Sequence, residues 1–355
     1  MDDTRREFLT ELLTTPSPSG FETSGQRVWV KYAQQFADEV STDAYGNAVA
    51  VYNGDPTCDV SIAFAGHADE IGYIIRDITD DGYLRINRIG GADRTVSKGQ
   101  HVTVHAETPV AGVIGQTAIH LRDTGSESYD DIDEQFVDIG AEDGDDAHSR
   151  VEVGDPVTVE TRVRSLADTR LAARALDNRV GTWAAAEALR AAATRTQPDA
   201  TVYAVSTVQE EVGVQGAKMV GFDLDPDAAV AIDVTHATDN PDIPGNSAGP
   251  VELGSGPVVT RGSVNHPTLV TLARDAADTA EVDIQLQAAG SRTGTDADAF
   301  YTSRSGIPAL NIGIPNRYMH TPVEVVDTTD LDAIASLTGA MAASADDAAP
   351  FKLDI

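Results

Sequence analysis

Seven residues of this chain have the types and the placement for hydrolytic metal chemistry: His67, Asp69, Asp177, Glu210, Glu211, Asp233 and His320. Four of the segments that carry them share one context: an apolar run that reads as a strand ends, and acidic or imidazole side chains follow at once. They are SIAFAGHADE with His67 and Asp69, VYAVSTVQEE with Glu210 and Glu211, AAVAIDVTH with Asp233, and ALNIGIPNRYMH with His320. In open α/β sheets ligands bind outside the carboxyl ends of the strands, so these side chains should converge although they are far apart in sequence. Asp177, in ALDNRVG, falls where a helix begins, and a helix N-terminus favours its charged form. Two imidazoles with several carboxylates suit two divalent ions of the zinc, cobalt or manganese kind. Cys58 is the only cysteine, so there is neither a thiolate cluster nor a disulfide framework.

Taken singly, each segment has a plainer reading. A His-x-Asp is commonly a hydrogen-bonded structural pair, a Glu-Glu doublet in an acidic protein a solvated face, Asp177 a helix cap and His320 a loop residue. Co-occurrence at strand ends is what favours the ligand set. The other histidines, His101, His105, His120, His148, His236 and His266, read as surface or structural.

The elements that must position these residues follow from periodicity. Phe8, Leu9, Leu12 and Leu13 form a helical stripe that stops at Pro16 and Pro18, and a second helix follows Gly20. Strands are expected at Ala48 to Tyr52 and Val60 to Ala65. From about Tyr73 short alternating segments separated by Gly and Asp-rich turns indicate a small β-domain, with Thr124 to Glu134 a mobile acidic loop. Strands and helices alternate again from Ala175: a helix near Asn178 to Arg195, strands at Thr201 to Thr207 and Ala228 to Ile232, a helix at Thr268 to Ala280, and strands at Asp283 to Gln287 and Leu310 to Ile314. That alternation implies an α/β fold with a partly parallel sheet covered on both faces, split into 1–72 and 165–355 by a β-rich insertion over 73–164.

The 355 residues carry 25 Lys and Arg against 57 Asp and Glu, a formal net charge of -32. Phosphate binding needs clustered cations, so nucleic acid is excluded as a partner, and anionic membrane surfaces with it. Carboxylates spread along the whole chain fit a halophile's surface, because molar salt shortens the reach of self-repulsion to about 3 Å. The amino-terminal segment lacks the apolar core of a signal peptide and no apolar run reaches membrane-spanning length, which points to the cytoplasm.

The segments PSPSGFE, GHADEIG, ALDNRVG, QEEVGVQGA, AIDVTHA and MHTPVEVV, in this order between about residues 8 and 340, resemble the signature segments of the tetrahedral (TET) aminopeptidases. The resemblance implies a mixed, largely parallel sheet of the zinc-aminopeptidase kind with an inserted β-barrel-like dimerisation domain. It implies two divalent ions per subunit, Zn²⁺ with Co²⁺ or Mn²⁺ as alternatives. His67 and Asp233 would bind one, Glu211 and His320 the other, and Asp177 both. Glu210 would be the general base, Asp69 would hold His67 through its second ring nitrogen, and the bond after Asp177 would be a non-proline cis peptide. Gly294, Thr295 and Asp296 would lie near the substrate side chain. Peptides are the implied substrates, and self-association to dimers and a homododecamer the implied assembly.

The function expected is therefore removal of N-terminal residues from short peptides, with broad specificity favouring neutral and hydrophobic side chains, in high salt. A metal-dependent deacylase on small N-acyl substrates would use the same ion pair. A glycoside hydrolase would need two carboxylates and no metal, and would leave both histidines without a role.

Overall fold

The runs Ala48–Tyr52, Ser61–His67, Thr201–Thr207, Ala228–His236 and Ala309–Asn316 are nearly unbroken apolar stretches. Strands of that composition must be covered on both faces. In the computed structural model, which describes residues 1–122, 129–160, 162–241, 243, 249–353 and 355, they form the middle of an eight-stranded sheet. In chain order the strands are β1 (Glu39–Thr42), β2 (Ala48–Tyr52), β3 (Ser61–His67), β4 (Gly72–Ile78), β5 (Leu84–Ile89), β6 (His101–Val104), β7 (Val110–Ile114), β8 (Phe136–Asp138), β9 (Pro156–Val159), β10 (Arg164–Leu166) and β11 (Arg170–Ala173). They continue with β12 (Thr201–Thr207), β13 (Ala228–His236), β14 (Val258–Arg261), β15 (Gln285–Ala288), β16 (Ala309–Asn316) and β17 (Glu324–Asp327).

The large sheet has the order β1-β2-β12-β3-β13-β16-β14-β15. Its four central strands, β12, β3, β13 and β16, are mutually parallel, so their carboxyl ends open on one edge. Register brings the chemistry level: Thr207 pairs with His67, and Ala231 with Ala65, so that two residues on Asp233 comes abreast of His67. Side chains of β3 alternate between two apolar layers. Ile62 and Phe64 face the helices Leu176–Ala191 and Thr328–Ala343, with Trp183 at their centre, while Ala63 and Ala65 face Val220 and Phe300.

The helix Leu176–Ala191 lies very close to β3, because Gly66 meets Gly181. A Cβ on Gly66 would come within 2.3 Å of the Gly181 carbonyl carbon. That approach carries the start of the helix, and Asp177 with it, to the carboxyl end of the sheet.

Between β3 and β10, strands β4-β5-β8-β7-β6-β9 close into a barrel with its own core of Ile75, Leu84, Ile86, Val102, Val104 and Val137. A small sheet, β10-β11-β17, lies between the barrel's exit and the helix Thr328–Ala343. Of the acidic segment Thr124 to Glu134, residues 124–128 lie outside the described residues, and Ile132–Glu134 form a 3₁₀ turn rather than an open loop. No described helix is long and apolar enough to cross a membrane.

Candidate metal centre

His67 ends β3 with its ring wholly buried. Nε2 lies 3.2 Å from Asp177 Oδ1, 3.7 Å from Asp233 Oδ1 and 3.9 Å from Glu210 Oε2. On the far side Nδ1 faces the Asp69 carbonyl at 3.2 Å and Asp69 Oδ1 at 3.3 Å. His320, on the loop after β16, places Nε2 at 3.3 Å from the other Asp177 oxygen, Oδ2, and at 3.6 Å from Glu211 Oε1. Two groups of donors thus form, His67, Asp177 and Asp233 on one side and Asp177, Glu211 and His320 on the other, each with ligand atoms within 4.8 Å of one another. Asp177 belongs to both.

Asp177 is free for this because another residue caps the helix. The Asp177–Asn178 peptide bond is cis and both residues have non-helical backbone angles. Asn178 Oδ1 accepts the Gly181 N–H at 2.9 Å, and Asn178 Nδ2 donates to the Ile232 carbonyl at 2.8 Å, clamping the turn to β13.

The electrostatics are those of a site built for cations. Burial alone would raise Asp177, but His320 and His67 outweigh it and hold its carboxyl below the usual range. Burial also opposes charge on His67, yet Asp233, Asp177 and Asp69 together raise it well above its ordinary value. Burial pushes Glu210 up to about 9 and raises Glu211 and Asp233 too, with neighbouring carboxylates adding to it. Glu211 Oε1 is buried without a hydrogen-bond partner. So many buried carboxylates with no Lys or Arg among their described ion-pair partners are costly unless positive ions sit between them, and the two-imidazole, multi-carboxylate set fits two divalent cations.

Two further parts of the fold shape the centre. The Gly90–Gly91 turn at the end of barrel strand β5 rests on it: a Cβ on Gly91 would lie 2.5 Å from His320 Nδ1, and one on Gly90 3.1 Å from Glu211 Cβ. The Gly91 backbone also hydrogen-bonds the His320 ring and favours its charged form. Glu324, at the head of β17, accepts the backbone N–H groups of Asp177 and His320. The sequence reading missed both. An acidic residue heading an apolar strand four positions after His320 was the one signal available.

A cavity of about 320 Å³ opens over the centre, lined beyond the ligand groups by Thr235, His236, Thr293, Gly294, Thr295 and Met319. Of the three residues expected near the substrate side chain, Gly294 and Thr295 line this cavity. Asp296 does not: it is buried, its Oδ2 accepts the Thr207 hydroxyl at 2.5 Å, and burial pushes its carboxyl up to about 7. His236, read as surface or structural, is exposed and borders the cleft, and His105 is a structural partner of Thr158 at 2.8 Å. On the barrel side of His320 a second cavity of about 880 Å³ is bordered by Arg88, Arg94 and Asp131.

The family model of the M42 glutamyl aminopeptidases matches residues 46–337. A lysyl aminopeptidase of Pyrococcus furiosus is 32% identical over 342 residues, 94% of this chain and 96% of that protein. Among solved structures, an aminopeptidase of the archaeon Desulfurococcus kamchatkensis superposes with a TM-score of 0.88 at 33% identity, covering 95% of this chain and 94% of the other. The TET1 peptidase of Pyrococcus horikoshii, which can assemble into a tetrahedron or a large octahedral shell, does so with 0.84 at 30% identity, covering 95% and 99%.

Proposed function

The chain belongs to the M42 glutamyl aminopeptidase family, and from that premise we propose that it is a two-ion metallo-aminopeptidase that removes N-terminal residues from short peptides. The observation that carries the proposal is the sharing of Asp177 between two donor groups, with the Glu210 carboxylate beside them. His67 and Asp233 would hold one cation, Glu211 and His320 the other, and Asp177 both. When bound, such a pair supplies Lewis acidity, polarising the scissile carbonyl and acidifying water. Zn²⁺, Co²⁺ and Mn²⁺ all suit the donor set.

Glu210 takes the proton from the attacking water and delivers it to the leaving amine. Its side chain is only 11% exposed, so the transferred proton is shielded from bulk solvent. Asp69 keeps His67 in the tautomer that presents Nε2. The free α-amine of the substrate is drawn to the carboxylates around the centre. The first side chain enters among Thr235, His236, Thr293, Gly294, Thr295 and Met319, and the absence of Asp, Glu, Lys and Arg from this part of the lining supports broad specificity for neutral and hydrophobic residues.

We propose self-association as well. Exposed Ile119, Leu121 and Tyr129 on the insertion support a dimer contact there, and the tetrahedral assembly of the Pyrococcus horikoshii relative supports a dodecamer with enclosed active sites. The cytoplasm, at high salt, is the proposed setting.

The test is hydrolysis of aminoacyl chromogenic amides beside their N-acetylated versions in molar KCl, with and without chelator and added Zn²⁺ or Co²⁺. Chelator-sensitive cleavage of the free-amine compounds alone is expected. Cleavage of the blocked ones would instead make the enzyme a deacylase, and chelator-resistant cleavage would remove the metals from the mechanism.

A further inference from the structure

Glu324 has no part in the chemistry derived so far, yet it occupies an expensive position. It is 2% exposed, and no Lys or Arg among the described residues pairs with it. Both its oxygens are used, on different elements. Oε2 accepts the backbone N–H of Asp177 at 2.8 Å, with Asn316 Nδ2 at 3.4 Å, and Oε1 accepts the backbone N–H of His320 at 3.1 Å. One carboxylate therefore spans two of the three residues in the second donor group, whose chain positions are far apart.

The loop that carries His320 needs such a hold. Tyr318 (φ 62°) and His320 (φ 63°) both sit in the left-handed region, which is unfavourable for residues with a Cβ. The base of the loop is closed by Arg317 and Val325, which exchange main-chain hydrogen bonds at 2.9 and 3.0 Å. That closure fixes the ends but not the turn on which the imidazole rides. Glu324 reaches back to the turn itself and ties it to the peptide of Asp177. A buried carboxylate is a poor choice for cohesion alone, since its desolvation costs more than a neutral group's. It is well suited to accepting two N–H groups at a fixed separation.

We propose that Glu324 is a positioning residue that sets the distance between Asp177 and His320 and so determines affinity at the second ion site. The inference rests on the two-ion reading above. Glu324→Gln keeps the shape but turns an amide NH₂ toward one of the two N–H groups, which breaks half of the tie.

The experiment is stepwise titration of chelator-stripped protein with Zn²⁺, followed by calorimetry and by metal content after dialysis. Wild type should take two ions. Glu324→Gln should keep the first within about threefold and bind the second about 10- to 100-fold more weakly, the effect usual for groups that orient ligands. Unchanged binding of both ions would overturn the inference. So would equal weakening of both with a parallel fall in melting temperature, which is the mark of a purely structural residue. Should Glu324→Gln not fold, Glu324→Asp carries the same test: it keeps the charge but is too short to span both N–H groups, and the same selective loss is expected. A wild type that binds a single ion would overturn the two-ion reading and this one together; two ions in wild type with unchanged binding in the variants would overturn this one alone.

Discussion

Asp69 Oδ1 accepts the backbone N–H of Glu210 at 2.9 Å, and the same oxygen faces His67 Nδ1 at 3.3 Å. One carboxylate thus fixes both the proposed base and a proposed ligand. Its other oxygen takes the Ser19 hydroxyl at 2.6 Å and the Glu211 N–H at 3.1 Å. Burial alone would raise Asp69, but His67, Ser19 and the Glu210 N–H outweigh it and keep the carboxyl below its usual range.

That geometry makes Asp69→Asn a sharp probe. An amide NH₂ would face at least one donor, so the Glu210–Glu211 turn and His67 should both shift. Turnover and affinity for the ion at His67 are expected to fall together by about 10- to 100-fold. Activity assays and metal titration on one preparation check this, and unchanged values in both would mean the tie has no catalytic consequence.

Glu210→Gln separates the proposed base from the proposed ligands. Glu210 belongs to neither donor group that could hold an ion, so both ions should stay while kcat drops by about 10²- to 10⁴-fold, the usual value of a positioned acid–base group. Metal content near two ions per chain with KM little altered would complete the expected picture. A fully active variant would rule Glu210 out as the base.

Gly91→Ala tests whether the barrel completes the centre. The added Cβ would overlap the His320 ring, whereas Gly115, which has nothing within 4 Å, gives a neutral Gly→Ala control on the same domain. Weaker binding of the second ion is expected in the first variant alone. Equal behaviour of the two would make the barrel a bystander to the chemistry.

Legibility in the sequence followed the physics of each element. Ala48–Tyr52 and Thr201–Thr207 are strands with the bounds expected, because apolar and β-branched residues there run up to polar or turn-forming neighbours. Strands β10, β11, β14 and β17 were not anticipated: they have three or four residues each, and Arg164–Leu166 is exposed throughout, so no periodicity marks it. That the seven side chains converge was readable since each stands beside a strand or helix end. Glu324 and Gly91 act through main-chain N–H groups and through room for an imidazole, which side-chain chemistry does not advertise. Adjacency to Gly294 and Thr295 does not reveal that Asp296 is buried against the Thr207 hydroxyl.

Glu22 predicts a pH dependence. It is 3% exposed, and burial, with Asp69 nearby, pushes its carboxyl up to about 7 although the Gly20 and Gln209 N–H groups oppose this. Folded-state affinity for the proton therefore exceeds that of the unfolded chain, at 4.5. The sign follows: this contribution favours folding most at low pH and is lost as pH rises from about 4.5 to about 7. At most about 1–3 kcal/mol is involved. Urea melts of wild type and Glu22→Gln in 2 M KCl between pH 5.5 and 7.5 should show wild type losing ground to the variant as pH rises; parallel curves would refute it.

Salt dependence follows from the charge. With 57 acidic against 25 basic residues, the folded chain concentrates like charges that the unfolded chain spreads apart. Surface pairs such as Arg150 with Asp146 at 2.5 Å neutralise little of that excess. Screening shrinks from about 10 Å at 0.1 M to about 3 Å at 1 M, so most of the relief should arrive by 1 M KCl and little beyond it. Tm is expected to rise by roughly 3 °C or more over that range, the shift that about 2 kcal/mol makes in a chain of this size. A gain that instead kept growing linearly to 3 M would point to strengthened apolar burial rather than to screening. A Tm indifferent to salt would remove the argument for a high-salt setting altogether.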